Sequence, residues 1–289
     1  GPGASPPPLE SLRRFIPPER LWPINEVWDF HCGGGAFASL GVFNAALDAR
    51  YGASHSVEEY ARKAQAAAYE SHRAMFEAFG ERKYTATGVI QWMLDNAWPG
   101  MFWHLYDYFL RPGGSYFGTK KACEPLHVQY AYDDRAVVVV NSTLRPAPGL
   151  AVTAEIFDLD SRRRFLRTER SDVGPDGSVE VFRLPEPAGL GPTYFVALRL
   201  ADARGRVVSR NTYWLSTKAE VLDWDRSQWH YTPVREYADL TGLDRLARAE
   251  LMATARFEKA GDRGRVHVVV GNPSPSLAFF LRLAVRRGA

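Results

Sequence analysis

The sequence predicts two fold classes in one chain, α/β over residues 1–132 and all-β from there to the end. Three observations carry this. A long helical pattern leads into a short apolar run at 89–94. The apolar period changes from 3.6 to 2 near Ala136, and turn-forming clusters then recur at the spacing of a β-sandwich. A length of 289 residues predicts two or three units, and an apolar content of 46% supplies more than one core. The net charge of +3 is spread over both signs, so no basic stripe points to nucleic acid. No apolar run approaches the roughly eighteen residues that a membrane span needs. Neither nucleic acid nor membrane is expected as a partner.

The chain opens Gly1-Pro-Gly-Ala-Ser-Pro-Pro-Pro8, without an initiator methionine or a charged-then-apolar signal pattern. It closes on Arg286-Arg287-Gly288-Ala289, directly after a strand-like run, so a piece of a longer polypeptide is expected. Proline clusters confine one short helix to Leu9–Phe15. The segment from Trp22 to Gly35 reads as irregular, and Gly33-Gly34-Gly35 permits dihedrals closed to other residues. It lacks the lysine and hydroxyl spacing of a phosphate loop. Cys32 and Cys123 lie too far apart in sequence for zinc-ligand spacing and read as free, buried thiols.

Ser56 with Glu59 three residues on reads as a capping box. The helix it opens carries Val57, Tyr60, Ala61, Ala64, Ala68, Met75 and Phe79 on one face, with Gly80 placed to end it. Val89 to Leu94 shows little polar alternation and suits a parallel strand buried on both faces. Behind it come Asp95, Asn96, Trp98, Trp103, His104, Tyr106, Asp107 and Tyr108. Aromatic planes beside carboxylates and amides fit a sugar ring, whose apolar face stacks while its hydroxyls take hydrogen bonds. The competing reading is a core strand followed by an aromatic packing corner. Ser115 to Tyr130 reads as a helix bent or divided at Pro125. Helix, strand, loop, helix is the order near the end of a (β/α)8 barrel.

Strands are expected at Ala136–Val140, Leu150–Leu159, Arg163–Arg170, Ser178–Leu184, Thr193–Leu200 and Val207–Leu215. The punctuating turns are Pro146–Gly149, Gly174–Gly177 and Asp202–Gly205. An immunoglobulin-like β-sandwich over 133–217 follows. The arginines at 162–164 read as a charged hairpin edge that blocks strand addition. Residues 218–289 read as a polar connection and an incomplete second β-sandwich, with strands at Ala249–Glu258, Arg265–Val270 and Leu277–Val285.

Five blocks of this sequence resemble a known family. They are Trp22-Pro-Ile-Asn-Glu-Val-Trp28-Asp-Phe-His31, Gly88-Val-Ile-Gln-Trp-Met-Leu-Asp-Asn-Ala-Trp98-Pro99, Trp103-His-Leu-Tyr-Asp-Tyr108, the run from Pro112 to His127, and Tyr213-Trp-Leu-Ser-Thr-Lys218. The chain is similar to glycoside hydrolase family 2, in its exo-β-D-glucosaminidase and mannosylglycoprotein endo-β-mannosidase branch. The resemblance implies a C-terminal remnant of a (β/α)8 barrel, then one complete and one partial sandwich. It implies hydrolysis of β-linked glucosamine or mannose by the whole enzyme, an oligosaccharide substrate, no cofactor or metal, and an extracellular or periplasmic location. It also implies that the N-terminal part of the same chain is a partner, since both reactive carboxylates fall on earlier barrel strands. No catalytic residue is therefore assigned here.

Trp98 is the expected sugar platform at the end of the last barrel strand, with Asp95 and Asn96 beside it. Asp and Asn also serve as turn formers after strands. His31, beside Trp28 and Asp29, either lines the pocket from the preceding loop or is satisfied by the backbone. Trp28 and Tyr106 complete the substrate-binding set, although pinning the loop is favoured for His104, Tyr106 and Tyr108. Two alternatives remain: a non-enzymatic carbohydrate-binding or scaffolding module, and a self-sufficient hydrolase built on Glu26 with Asp29 or Asp95 with Asp107. Nothing fixes those pairs at the separation hydrolysis needs. An isolated barrel remnant also implies an uncovered apolar face on the helix from Val57 and a tendency to aggregate.

Overall fold

Five helices precede the first strand in the computed structural model, which describes residues 4–186, 188–261 and 263–284. The expectations placed on residues 1–3 and 285–289 lie outside the described residues. Helix α1 is Leu9–Phe15, as the proline boundaries predict. The expected irregular segment holds a helical turn, α2 (Glu26–Phe30), because the Asn25 side-chain Oδ1 accepts from Val27 N at 3.1 Å and caps it. Helix α3 spans Gly41–Tyr51.

Helix α4 (Val57–Glu81) starts at Ser56, whose hydroxyl accepts from Glu59 N at 3.2 Å. The return arm of the box goes to His55 N, at 2.9 Å, instead of to Ser56. Gly80 lies within the helix and Arg82 follows its end. Val57, Tyr60, Ala61, Ala64 and Ala68 are buried as expected, while Met75 and Phe79 are half-buried. The face predicted to be bare is covered: Trp28, Leu12, Leu40 and Leu47 from the preceding segment pack into one core with Val57, Tyr60 and Ala64. Helix α5 (Gly114–Ala122) packs on α4, and a Cβ at Gly114 or Gly118 would overlap the carbonyl oxygens of Gln65 and Tyr69.

The helix expected over 115–130 ends before Pro125, and its second half is strand β1 (Leu126–Tyr130). His-Val-Gln-Tyr is strand-prone, and the segment pairs antiparallel with β2 (Ala136–Asn141). The sandwich continues with β3 (Ala147–Phe157), β4 (Arg163–Val173), β5 (Gly177–Arg183), β6 (Thr193–Ala201) and β7 (Val207–Ser216). Sheet orders are β1-β2-β5 and β4-β3-β6-β7, all antiparallel. Val128, Val137 and Val139 of one sheet face Val152, Ile156, Val196 and Leu198 of the other in a shared core. Each such side chain contributes roughly 1.5–3 kcal/mol by leaving water. Strand β2 is buried on both faces, with Val138 and Val140 in a second small cluster, which explains its unbroken valine run. Gly149 does not end a turn; it sits at φ +67° inside β3, where the register shifts. β4 is an edge strand, and Arg163 and Arg164 pair with Glu155 and Asp158 along it.

The predicted strand at 88–94 forms no ladder with another strand. Met93 N donates to Trp103 O (2.6 Å) and Tyr106 N to Leu94 O (2.8 Å), so the segment, bent at Trp92 and Leu94, is tied to its own loop. Beyond the sandwich, β8 (Val221–Leu222) pairs with β9 (Val234–Glu236), and β10 (Met252–Ala260) with β11 (Arg263–Gly271). Residues 277–284 hold no regular structure where a third strand was expected. Phe279 packs instead on Phe195 and Trp214, with ring centroids 5.5 and 5.1 Å apart. Among the described residues Cys32 and Cys123 are free; Cys123 is exposed, against expectation, because the end of α5 leaves it at the surface.

Candidate functional site

Helix α2 delivers two aromatic residues with opposite fates. Trp28 points inward, fully buried against the Tyr60 ring (5.6 Å, 87°), and its Nε1 donates to Arg20 O at 3.3 Å. It is a packing residue and cannot touch a sugar, which corrects its place in the expected binding set. His31, one turn on, reaches the loop after Leu94: its Nδ1 lies 2.8 Å from Pro99 O, and its carbonyl accepts from Met101 N at 3.0 Å. The fixed imidazole stacks on Trp98 at 5.3 Å and 27°, with Phe30 edge-on to Trp98 at 5.6 Å and Phe15 of α1 edge-on to His31 at 4.5 Å. Trp98 keeps 44% of its surface exposed. A half-open indole braced from behind offers a flat apolar face.

Asp95 is exposed beside it. Asn96 is buried, and its Nδ2 donates to His104 Nδ1 at 3.0 Å. Burial pushes the His104 imidazole down to about 4, so the ring is neutral at neutral pH and Nδ1 can accept. A Cβ at Gly100 would stand 2.8 Å from Asn96 Nδ2, so a larger residue there would displace the Asn96 amide from His104. His104 is anchored through its carbonyl, which accepts from Ser115 Oγ at 2.7 Å. Asp107 spends one carboxylate oxygen on Phe109 N (2.9 Å) and Arg111 N (3.0 Å). Tyr106 faces Tyr116 of α5 at 4.8 Å, and its hydroxyl, hydrogen-bonded to Tyr116, titrates above the usual range. The structure thus groups Trp98 with His31, leaves Asp95 exposed, holds Asn96 to His104, and directs Tyr106 toward α5.

Sequence reasoning missed Phe30, although it stands next to His31 in the Trp22–His31 block. It also missed a polar network joining α4 to the sandwich. Arg73, fully buried, donates to Asn211 Oδ1 (3.0 Å) and Thr212 O (2.5 Å), with its guanidinium 3.9 Å from the Tyr213 ring centre. Glu77 accepts from Asn211 Nδ2 (2.7 Å) and Tyr213 OH (2.8 Å) and lies 2.9 Å from His127 Nε2. The signal was available: Arg73 and Glu77 are charged residues four apart on a helix whose neighbouring positions are apolar. Among the described residues no cluster of His, Cys, Asp and Glu is arranged to hold a metal ion. Cavities of ≈ 1040 and ≈ 420 Å³ lie against α4 and residues 278–281, and neither is lined by Trp98, Asn96 or His31.

The sandwich residues 133–217 match the family described as "Mannosidase Ig/CBM-like domain", and residues 229–289 match "Exo-beta-D-glucosaminidase Ig-fold domain". Similar sequences include the exo-β-D-glucosaminidases of Streptomyces avermitilis, 43% identical over 86% of this chain and 29% of the relative, and of Amycolatopsis orientalis, 38% over 90% and 26%. The mannosylglycoprotein endo-β-mannosidase of Lilium longiflorum is 27% identical over 72% of this chain and 24% of the relative. The crystal structure of the Amycolatopsis orientalis exo-chitosanase CsxA superposes with a TM-score of 0.89 at 36% identity, covering 94% of this chain and 33% of that one. A β-D-mannosidase from Dictyoglomus thermophilum shares the fold, with a TM-score of 0.66 at 18% identity. The chain spans between a quarter and a third of the length of the glucosaminidases it matches. A helical segment with an exposed aromatic loop, followed by an immunoglobulin-like sandwich, defines the C-terminal part of a family 2 glycoside hydrolase, and the chain belongs to that family. Within it, the chain stands on the exo-β-D-glucosaminidase branch.

Proposed function

We propose that this chain is the C-terminal part of a retaining β-glycosidase that releases β-linked glucosamine, supplying one wall of the sugar pocket but neither reactive carboxylate. The observation that carries the reading is the half-exposed Trp98, stacked on His31 just after a segment whose alternate residues, Ile90, Trp92 and Leu94, are exposed. Alternate apolar residues left open in this way fit the last strand of a barrel whose remaining strands belong to the N-terminal part of the same chain. Residues 1–132 are then the end of the barrel, 133–217 the first sandwich with β1 added to its sheet, and 218–289 a connection and part of the second.

Retaining hydrolysis needs two carboxyl groups about 5–5.5 Å apart, one as nucleophile and one as acid then base. In each acid pair within this chain that could serve, Glu26 with Asp29 or Asp95 with Asp107, one member has another duty. Asp107 caps its own turn, and Glu26 pairs with Arg20. Trp98 therefore serves as platform for the sugar ring, with the exposed Asp95 available to its hydroxyl or amino groups while the buried Asn96 holds His104. Glucosamine is preferred over mannose because the relatives named for glucosamine are the more similar ones.

The test compares two polypeptides on an aryl β-D-glucosaminide. The parent chain extended upstream should hydrolyse it, and the present chain alone should not. Trp98→Ala in the extended chain should lower kcat/KM by about tenfold or more, the loss of roughly 1.4 kcal/mol of binding. Turnover by the present chain alone, abolished by Asp95→Asn, overturns the proposal.

A further inference from the structure

The connection between the sandwich and β10 returns to the loops that carry Trp98. Asp223 to Thr232, Asp-Trp-Asp-Arg-Ser-Gln-Trp-His-Tyr-Thr, contains three aromatic residues and one histidine but no aliphatic side chain. It is built as a rigid finger. β8 and β9 pair at its base, Asp223 N donates to Pro233 O (2.8 Å), Gln228 N to Tyr231 O (2.8 Å), and the Ser227 and Thr232 hydroxyls meet at 2.8 Å. Arg235 ties it further through Asp223 (2.7 Å) and Asp225 (3.2 Å).

The tip of the finger meets Phe37. Trp229 and His230 approach its ring edge-on at 5.8 and 5.7 Å, and the same ring meets Trp103 at 4.8 Å and Phe102 at 5.9 Å. Phe37 and Trp103 lie on the same two loops as His31 and Trp98, so both aromatic groups share one pair of supports. Trp229 nevertheless remains 83% exposed. At Ile90, Trp92 and Leu94 the exposed indole stands between two aliphatic side chains and has no polar partner on its row, the composition of a surface that packs against protein. An open indole on a hydrogen-bonded, wholly polar and aromatic finger has the composition of a surface that stacks on sugar.

We propose that Trp229 forms a second sugar platform, which holds a downstream unit of a β-linked glucosamine oligosaccharide while Trp98 faces the unit being released. The inference rests on the reading above. Its substrate class follows from chemistry: the apolar face of a pyranose covers the indole, and the ammonium group of the amino sugar is attracted by the same ring.

The experiment uses the extended chain with two substrates, a glucosamine pentamer and an aryl β-D-glucosaminide that ends before the second platform. In Trp229→Ala the ratio of kcat/KM on the pentamer to kcat/KM on the aryl glycoside should fall about tenfold. Trp229→Phe should restore most of that ratio. An equal loss on both substrates with a lowered Tm shows that Trp229 packs against the rest of the chain and overturns the proposal, as does an unchanged ratio. If the extended chain cleaves no glucosaminide, the glycosidase reading fails. The platform is then judged by calorimetric titration with the pentamer, and binding that Trp229→Ala does not weaken overturns it.

Discussion

Strand β6 and the segment at 90–94 both alternate in exposure and reach opposite ends. In β6 the alternate residues Val196, Leu198 and Leu200 are at most 2% exposed, because β3, β7 and the facing sheet are all in the chain. At 90–94 the alternate residues Ile90, Trp92 and Leu94 are 93%, 71% and 64% exposed. A period of two fixes which side chains share a face, but it does not say what covers that face. The sandwich is complete in itself, and the segment before it is complete only on the side where α1, α2 and α4 meet.

The strongest way to break this contrast is at the seam between the two regions. Glu77→Ala should cost about 3–5 kcal/mol in chemical denaturation, because it strands the buried Arg73 guanidinium without its acid. Both regions should then unfold together, and two separate transitions would show that the seam does not couple them. Next in size, Leu200→Ala in the sandwich core should cost about 2–5 kcal/mol by the same measurement.

A smaller effect comes from pH. Burial opposes the charge on His127, but hydrogen bonds to Glu124 and Glu77 outweigh it and raise its pKa above the usual 6.5. Its stabilisation is therefore full below about pH 6.5 and fades as pH rises through the folded value. Glu124 behaves oppositely. Burial opposes its charge, but bonds to His127, Lys121 and Ser209 outweigh it and hold it near 2, so its stabilisation is full above about pH 4.5 and fades as pH falls toward 2. Tm should plateau between these limits, and His127→Gln should remove the alkaline decline. The smallest effect sharpens the comparison: Ile90→Ser should change the stability of this chain by no more than about 0.5 kcal/mol. The same substitution should destabilise the extended chain clearly, and equal effects in both would mean that nothing covers the row.

The sandwich was legible because its turns are chemical. Asp202 accepts from Arg204 N and Arg206 N, and Gly205 takes φ +79°, so Asp202–Gly205 marks a hairpin in sequence and in structure alike. The capping serine of α4 was legible for the same local reason. Errors arose where the answer was not local. Leu126–Tyr130 follows a helix and was read as its continuation, yet its state is decided by pairing with β2. Val89–Leu94 has the composition of a strand but pairs with no strand among the described residues. At the candidate site, Trp98 and His31 were readable as residue types near chain turns, whereas their stacking depends on Pro99 and Met101 folding back over α2. Trp28 turns inward because two positions along a helix, from Trp28 to the exposed Phe30, carry a ring from one face to the other.

The network around Glu77 also bears on how such enzymes can be recombined. A cut at residue 133, the natural place for a chimera, would part the sandwich from both α4 and β1. Asn211 and Tyr213 would remain on one piece while Arg73, Glu77 and His127 went with the other. A transplanted sandwich would thus expose mismatched amide and phenol groups to whatever new catalytic body received it. Grafts that carry α4 and β1 along with the sandwich keep those groups matched.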